Sequence, residues 1–302
     1  MPFNILNAPI ELLTDDMLLQ KNISLSVLRL DKIHPVVSGN KLFKLHYFLA
    51  EALQSPHKTI LSFGGAYSNH LAATAFACQA NGLKSIGIVR GEMPAVLSST
   101  LQQCMDYGMQ LKFISRAAYL KKESTHFITE LQNEFGEAIV IPEGGYHTAG
   151  AKGAALIGKL IPANMYTHIC TAAGTATTTA GLLQCAGEQQ EIISVPVLKG
   201  MTDIAERIYS LNGKEASQKH LKIFNEYHFG GYAKKTPGLT GFMNQLWLQQ
   251  QLPTDFVYTA KLFFAIYDKL KQGYFYPGSN ILCLHTGGLQ GNNSLLPGTL
   301  LF

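Results

Sequence analysis

Lys41 and Lys44 stand three residues apart at the start of an otherwise apolar stretch, directly after Ser38-Gly39-Asn40. Leu42, Leu45, Phe48, Leu49 and Ala52 recur at helical spacing, so residues 41–53 are expected to form a helix with both lysines in its first turns. Two cations there oppose the helix dipole, and an anionic partner would relieve the conflict. Most lysines are solvated surface charges, and spacing alone leaves that reading open. Far along the chain, Gly174-Thr175-Ala176-Thr177-Thr178-Thr179-Ala180-Gly181 offers small residues ahead of a helix start. Such a turn lets backbone approach a ligand and presents unpaired N–H groups to a phosphate or carboxylate. A tight turn with a threonine cap is the plainer alternative. Neither Gly-x-x-x-x-Gly-Lys-Ser/Thr nor Gly-x-Gly-x-x-Gly is present there, so the usual nucleotide-binding loops are not indicated. Gly64-Gly65 followed by Ser68-Asn69-His70 repeats the pattern with three polar side chains, although each alone reads as a helix cap or a satisfied core histidine.

These residues need elements to position them. Apolar runs at Ser24–Leu30, Thr59–Phe63, Ser85–Val89, Gln110–Ile114, Ala138–Ile141, His168–Thr171, Glu191–Val197 and Asn280–His285 read as buried strands. Helical periodicity falls between them at 70–81, 96–107, 149–160, 178–185 and 255–272. Near-continuous apolar strands alternating with helices predict mostly parallel sheets covered on both faces. Ligands in such folds bind outside the carboxyl ends of the strands. The turns after Phe63, Thr171 and His285 are therefore the places to seek chemistry. Residues 199–235 are more polar and read as a decorated connection.

Composition narrows the classes. The chain has 302 residues, 47% hydrophobic and 15% charged, which favours an extensive core over disorder. A net charge of +4 with scattered lysines argues against a nucleic-acid surface. Five cysteines with no C-x-x-C spacing read as free thiols in a reducing compartment. No signal peptide and no membrane span of about 20 apolar residues is visible, so a cytoplasmic protein without membrane partners is expected. No metal-ligand spacing stands out.

Together these segments resemble the D-cysteine desulfhydrase / 1-aminocyclopropane-1-carboxylate (ACC) deaminase family of pyridoxal 5′-phosphate (PLP) enzymes, which have the tryptophan synthase β-subunit fold. The resemblance runs in order along nearly the whole chain. Arg29-Leu30-Asp31 and Ser38-Gly39-Asn40-Lys41-Leu42-Phe43-Lys44-Leu45 resemble the cofactor-lysine segment. Gly64–His70 resembles the substrate-carboxylate loop, Gly174–Leu182 the phosphate loop, Asp255–Lys261 a late tyrosine segment, and Ile281–Gly288 the strand that reaches the pyridine nitrogen.

The resemblance implies an α/β protein of PLP fold type II, with two lobes each holding a mostly parallel sheet. Residues 45–147 are expected to form the smaller lobe, and residues 1–44 and 148–302 the larger, PLP-binding one. A homodimer acting on a small amino acid is implied. Lys41 is implied as Schiff-base anchor and acid/base. Lys44 and the turn Gly174, Thr175, Ala176, Thr177, Thr178 are implied to hold the phosphate, and Asn69 the phenolic oxygen. Ser68, Asn69 and His70 are implied to face the substrate, with Ser68 as a binding group or second proton carrier, Tyr258 catalytic and Tyr232 a second tyrosine beside it. Thr259 and Thr286 are implied near the ring nitrogen. The deaminase branch has a carboxylate at the position of Thr259, whereas hydroxyls at both positions follow the desulfhydrase branch. A hydroxyl leaves the ring nitrogen largely unprotonated, which suits thiolate elimination better than cyclopropane opening. The expected reaction is α,β-elimination from D-cysteine, giving pyruvate, ammonia and sulfide. ACC deamination, another small-amino-acid lyase or racemase reaction, and a non-catalytic anion-binding protein are the alternatives. Tyr67 departs from the glutamine usual in both branches.

Overall fold

The computed structural model describes residues 7–37, 39–213 and 220–302; Ser38 of the lysine segment lies outside them. Ten strands form two sheets. The larger runs β1 (Ile10–Leu13), β2 (Ser24–Leu28), β10 (Asn280–Leu284), β7 (His168–Ala173), β8 (Glu191–Pro196) and β9 (Leu221–Ile223) in spatial order. Only β1 pairs antiparallel; every other neighbour in this sheet is parallel. The smaller sheet, β5 (Met109–Ile114), β4 (Lys84–Arg90), β3 (Thr59–Gly64) and β6 (Ile139–Ile141), is parallel throughout. This is the α/β class expected from the strand pattern. Residues 199–235 hold more than a connection: α9 (Ile204–Asn212) covers the sheet and β9 extends its edge.

Helix α2 (Lys41–Gln54) buries Leu42, Phe43, Leu45, Phe48, Leu49 and Ala52, as its period requires. Those side chains share one core with Leu28, Ile169, Ile192 and Leu282 of the larger sheet and with Ile60 and Ile141 of the smaller. The other face of the larger sheet packs on α11 (Thr259–Lys271) through Leu262, Phe263, Ile266 and Leu270. Helix α7 (Thr148–Ala155) is built of small residues because α2 lies against it: a Cβ on Gly153 would fall 2.1 Å from the Phe43 carbonyl oxygen. Among the described residues all five cysteines are free, four of them buried. No helix among them is long and apolar enough to cross a membrane, and no cluster of His, Cys, Asp and Glu is placed to hold a metal.

Candidate active site

Lys41 opens α2. Its Nζ donates to Asn40 Oδ1 at 2.6 Å, and Asn40 Nδ2 donates to Thr178 Oγ1 at 2.8 Å. Thr178 lies in the first turn of α8 (Thr177–Cys185), so one asparagine ties the lysine to the glycine-threonine turn 138 residues away. Burial lowers Lys41 to about 8, against the opposing pull of Asp255. Lys44 is buried, and its Nζ donates to the Gly144 carbonyl at 3.2 Å. Burial, reinforced by the Lys41 charge, pushes Lys44 well below the ordinary lysine value. Among the described residues neither lysine makes an ion pair with a carboxylate, so Asp255 offsets the cost of two neighbouring buried amines only in part.

The anion-accepting turn fits that need. Ala176 precedes α8 in the left-handed region, at φ 62°, and no side chain caps the helix. The first N–H groups of α8 are therefore not taken up by a cap, and Thr175 and Thr177 hydroxyls meet at 2.9 Å beside them. The Tyr258 ring lies over this turn, with Cε1 3.2 Å from where a Gly174 Cβ would be. Burial first, then Tyr232 and Asp255, raises the Tyr258 phenol well above its usual value, so it stays protonated. The rings of Tyr232 and Tyr258 meet edge to face at 6.2 Å.

The loop after β3 supplies the remaining polar groups. Ser68 caps α3 (Asn69–Ala80), its Oγ accepting from Leu71 N at 3.2 Å, which leaves its O–H as a donor. Asn69 Oδ1 is buried with no partner among the described residues. His70 is locked in one tautomer. Ser62 Oγ donates to the Ile141 carbonyl at 2.8 Å, so it must accept from His70 Nε2–H at 3.0 Å. The Nδ1 lone pair is left buried without a partner. Burial, with both lysines adding, lowers His70 to about 3, so the ring is neutral. Tyr67, by contrast, is 48% exposed.

Gly39, Asn69 and Asp255 converge on the loop after β10. Asn40 N donates to Thr286 O at 3.3 Å. A Cβ on Gly288 would sit 2.9 Å from Asn69 Nδ2 and 3.3 Å from the Asp255 carboxyl carbon. His285 anchors the loop, with Nε2 donating to Pro253 O at 2.7 Å and Nδ1 3.1 Å from Asp31 Oδ1.

Two residues of this site have roles that the sequence reading missed. Asp255 is fully buried and accepts from the N–H groups of Val257, Tyr258 and Thr259 and from the Thr259 hydroxyl, at 2.7–2.9 Å. The hydroxyl of Thr259 is thereby committed to Asp255. Lys261 is also fully buried and is held by backbone carbonyls. An aspartate followed by backbone donors at two, three and four residues is a capping pattern that the sequence does carry. For Lys261 there was no signal, since its acceptors lie 30 and 33 residues away.

Contacts thus link Lys41 to the Gly174–Thr178 turn, that turn to Tyr258 and Tyr232, and His70 to the charges of Lys41 and Lys44. Asn69 and Thr286 join at the loop after β10, while Ser68 caps α3 beside Asn69 and the Thr259 hydroxyl is turned to Asp255. The donor set fits PLP: the uncapped N–H groups at the start of α8 and the buried Lys44 suit its phosphate, and Lys41, lowered to about 8, suits its aldehyde. The chain belongs to the pyridoxal-phosphate dependent enzyme family, whose model matches residues 18–287. A Pyrococcus abyssi protein provisionally named 1-aminocyclopropane-1-carboxylate deaminase is 28% identical over 84% of this chain and 81% of its own length. A Klebsiella pneumoniae D-cysteine desulfhydrase is 27% identical over 83% of each chain. The crystal structure of an ACC deaminase homologue superposes with a TM-score of 0.79 at 25% identity, covering 96% of this chain and 92% of that one. The protein is accordingly a PLP-dependent enzyme, of the lyase type those relatives share.

Proposed function

We propose that the protein catalyses α,β-elimination from a small amino acid, with D-cysteine as the substrate of choice, releasing sulfide and an enamine that water hydrolyses to pyruvate and ammonia. Bound PLP supplies an electron sink for the charge that develops at the substrate Cα. Lys41 is its anchor and the base: a lysine near pKa 8 is substantially unprotonated at mildly alkaline pH, and its Nζ takes the Cα proton. Lys44 and the N–H groups of Gly174–Thr178 bind the phosphate. Ser68 O–H and Asn69 meet the substrate carboxylate and the cofactor's phenolic oxygen. His70, neutral and fixed by Ser62, offers an acceptor without adding a third positive charge. The protonated phenol of Tyr258 donates to the departing sulfur as the Cβ–S bond breaks and its electron pair leaves with the thiolate.

The observation that carries this reading is that Asp255, the carboxylate beside this loop, is occupied by four donors from its own turn. The resemblance assigns the hydroxyls of Thr259 and Thr286, not a carboxylate, to the ring nitrogen. Expelling a thiolate demands less of the sink than opening a cyclopropane. ACC ring opening is the second reading, favoured by the names of the Pyrococcus relative and of the superposed homologue. Incubating PLP-loaded protein with D-cysteine, L-cysteine, D-serine, β-chloro-D-alanine and ACC separates them. Pyruvate from D-cysteine is expected; ammonia from ACC alone would overturn the elimination reading.

A further inference from the structure

Lys261 lies in the first turn of α11, where a cation opposes the helix dipole, yet its side chain is wholly buried. No carboxylate pairs with it among the described residues. Its Nζ donates instead to the carbonyls of Gly231 at 2.7 Å and His228 at 2.9 Å, with Val197 O at the outer limit of 3.5 Å. The segment it grips is bent to present those oxygens: Phe229, Gly230 and Gly231 all have positive φ, at 51°, 92° and 118°. Phe229 is a bulky residue in a backbone region that side chains disfavour, and the turn offsets this with Gly231 N donating to His228 O and Gly230 N to His228 Nδ1, both at 2.9 Å. The ammonium adds a second donor on that carbonyl and one on Gly231 O. The residue that follows the gripped turn is Tyr232, whose ring meets Tyr258 edge to face, and Tyr258 directly precedes the helix that carries Lys261.

We propose that Lys261 is a positioning residue for the proposed elimination, its ammonium acting as an internal cation that braces the 228–231 turn and so holds Tyr232 against Tyr258 at the site. This rests on that cleft being the catalytic one. The lysine touches neither cofactor nor substrate; it acts through the tyrosine. A neutral side chain of similar volume would leave the two carbonyls with their backbone donors alone, Gly231 N on His228 O at 2.9 Å and Lys234 N on Gly231 O at 3.2 Å, and the turn would loosen.

Two measurements test this on the PLP-loaded protein. Hydrogen exchange of Lys261→Met should accelerate in residues 225–236 and stay unchanged in residues 168–185; equal protection of 225–236 would overturn the grip. That arm needs no substrate, so it stands or falls apart from the elimination reading. In the second, Lys261→Met and Tyr232→Ala are combined. Each single change should lower kcat/KM about tenfold, mainly through KM, and the double variant should be no worse than the poorer single. Losses that multiply to about a hundredfold, or a harmless Tyr232→Ala beside a damaging Lys261→Met, would show that Lys261 does not act through Tyr232. Lys261→Gln keeps two N–H donors on a neutral side chain and covers the case of a methionine variant that does not fold. It should show a smaller rise in exchange, and full protection would overturn the need for the ammonium.

Discussion

Gly39 and Thr286 meet backbone to backbone: a methyl group on Gly39 would lie 1.9 Å from the Thr286 carbonyl oxygen. Gly39 also holds φ at 74°, where a side chain is strained by about 1 kcal/mol or more. Gly39→Ala should therefore push the loop after β10 away from the start of α2. Thermal unfolding at a lower temperature, and faster PLP loss on dialysis, are expected. Parent-like values in both would mean that the two segments separate at no cost.

The lowered pKa of Lys41 makes stability depend on pH. Between about 8 and the ordinary lysine value of 10.5 the folded protein binds fewer protons than the unfolded chain. Stability of the cofactor-free protein should rise with pH across that window, the full penalty of the charged amine being present below it. Lys261, also lowered to about 8 by burial, adds a term of the same sign. Urea unfolding from pH 7.5 to 10.5 should give Lys41→Met a shallower slope than the parent, by up to about 1.4 kcal/mol per pH unit for the missing proton. Identical slopes would place Lys41 in solvent.

Asp255 does two jobs, and Asp255→Asn should reveal both. Removing the charge weakens the cap on the turn before α11, at a cost of about 1–2 kcal/mol in urea unfolding. It also removes the carboxylate that raises Lys41, so the pH midpoint for the rate of PLP binding should move to lower pH than in the parent. A midpoint that moves upward would separate the two residues electrically.

Thr177 opens the helix proposed to receive the phosphate. A carboxylate there faces the same N–H groups and repels the guest, so Thr177→Glu should shorten PLP retention while Lys41 stays in place. Unchanged retention after dialysis would point to another cradle.

Much of this was legible because parallel strands buried on both faces write continuous apolar runs, and β3, β4, β7, β8 and β10 all fall where such runs occur. The edge strands β1 and β9 are four and three residues long and carry no such signature. Helix α10 (Pro237–Gln250) has a threonine cap and proline at its start, but Gly238, Gly241 and a run of glutamines dilute its apolar face. Lys41, Asn69 and the glycine-threonine turn could be found from local motifs, because each works through its own turn. Lys261 could not, since its acceptors come from other segments and its neighbourhood reads as an ordinary amphipathic helix. His70 showed as a polar residue near the site, but its tautomer needed Ser62 and the Ile141 carbonyl, 79 residues apart.

Helix α2 starts with the lysine proposed to anchor the cofactor and continues as the wedge whose apolar side chains touch both sheets. On that proposal the bound chromophore is fastened to the keystone of the fold rather than to a surface loop. Its visible band becomes a built-in gauge: any loosening of one sheet from the other has to pass through α2 and should register as a colour change before either sheet melts.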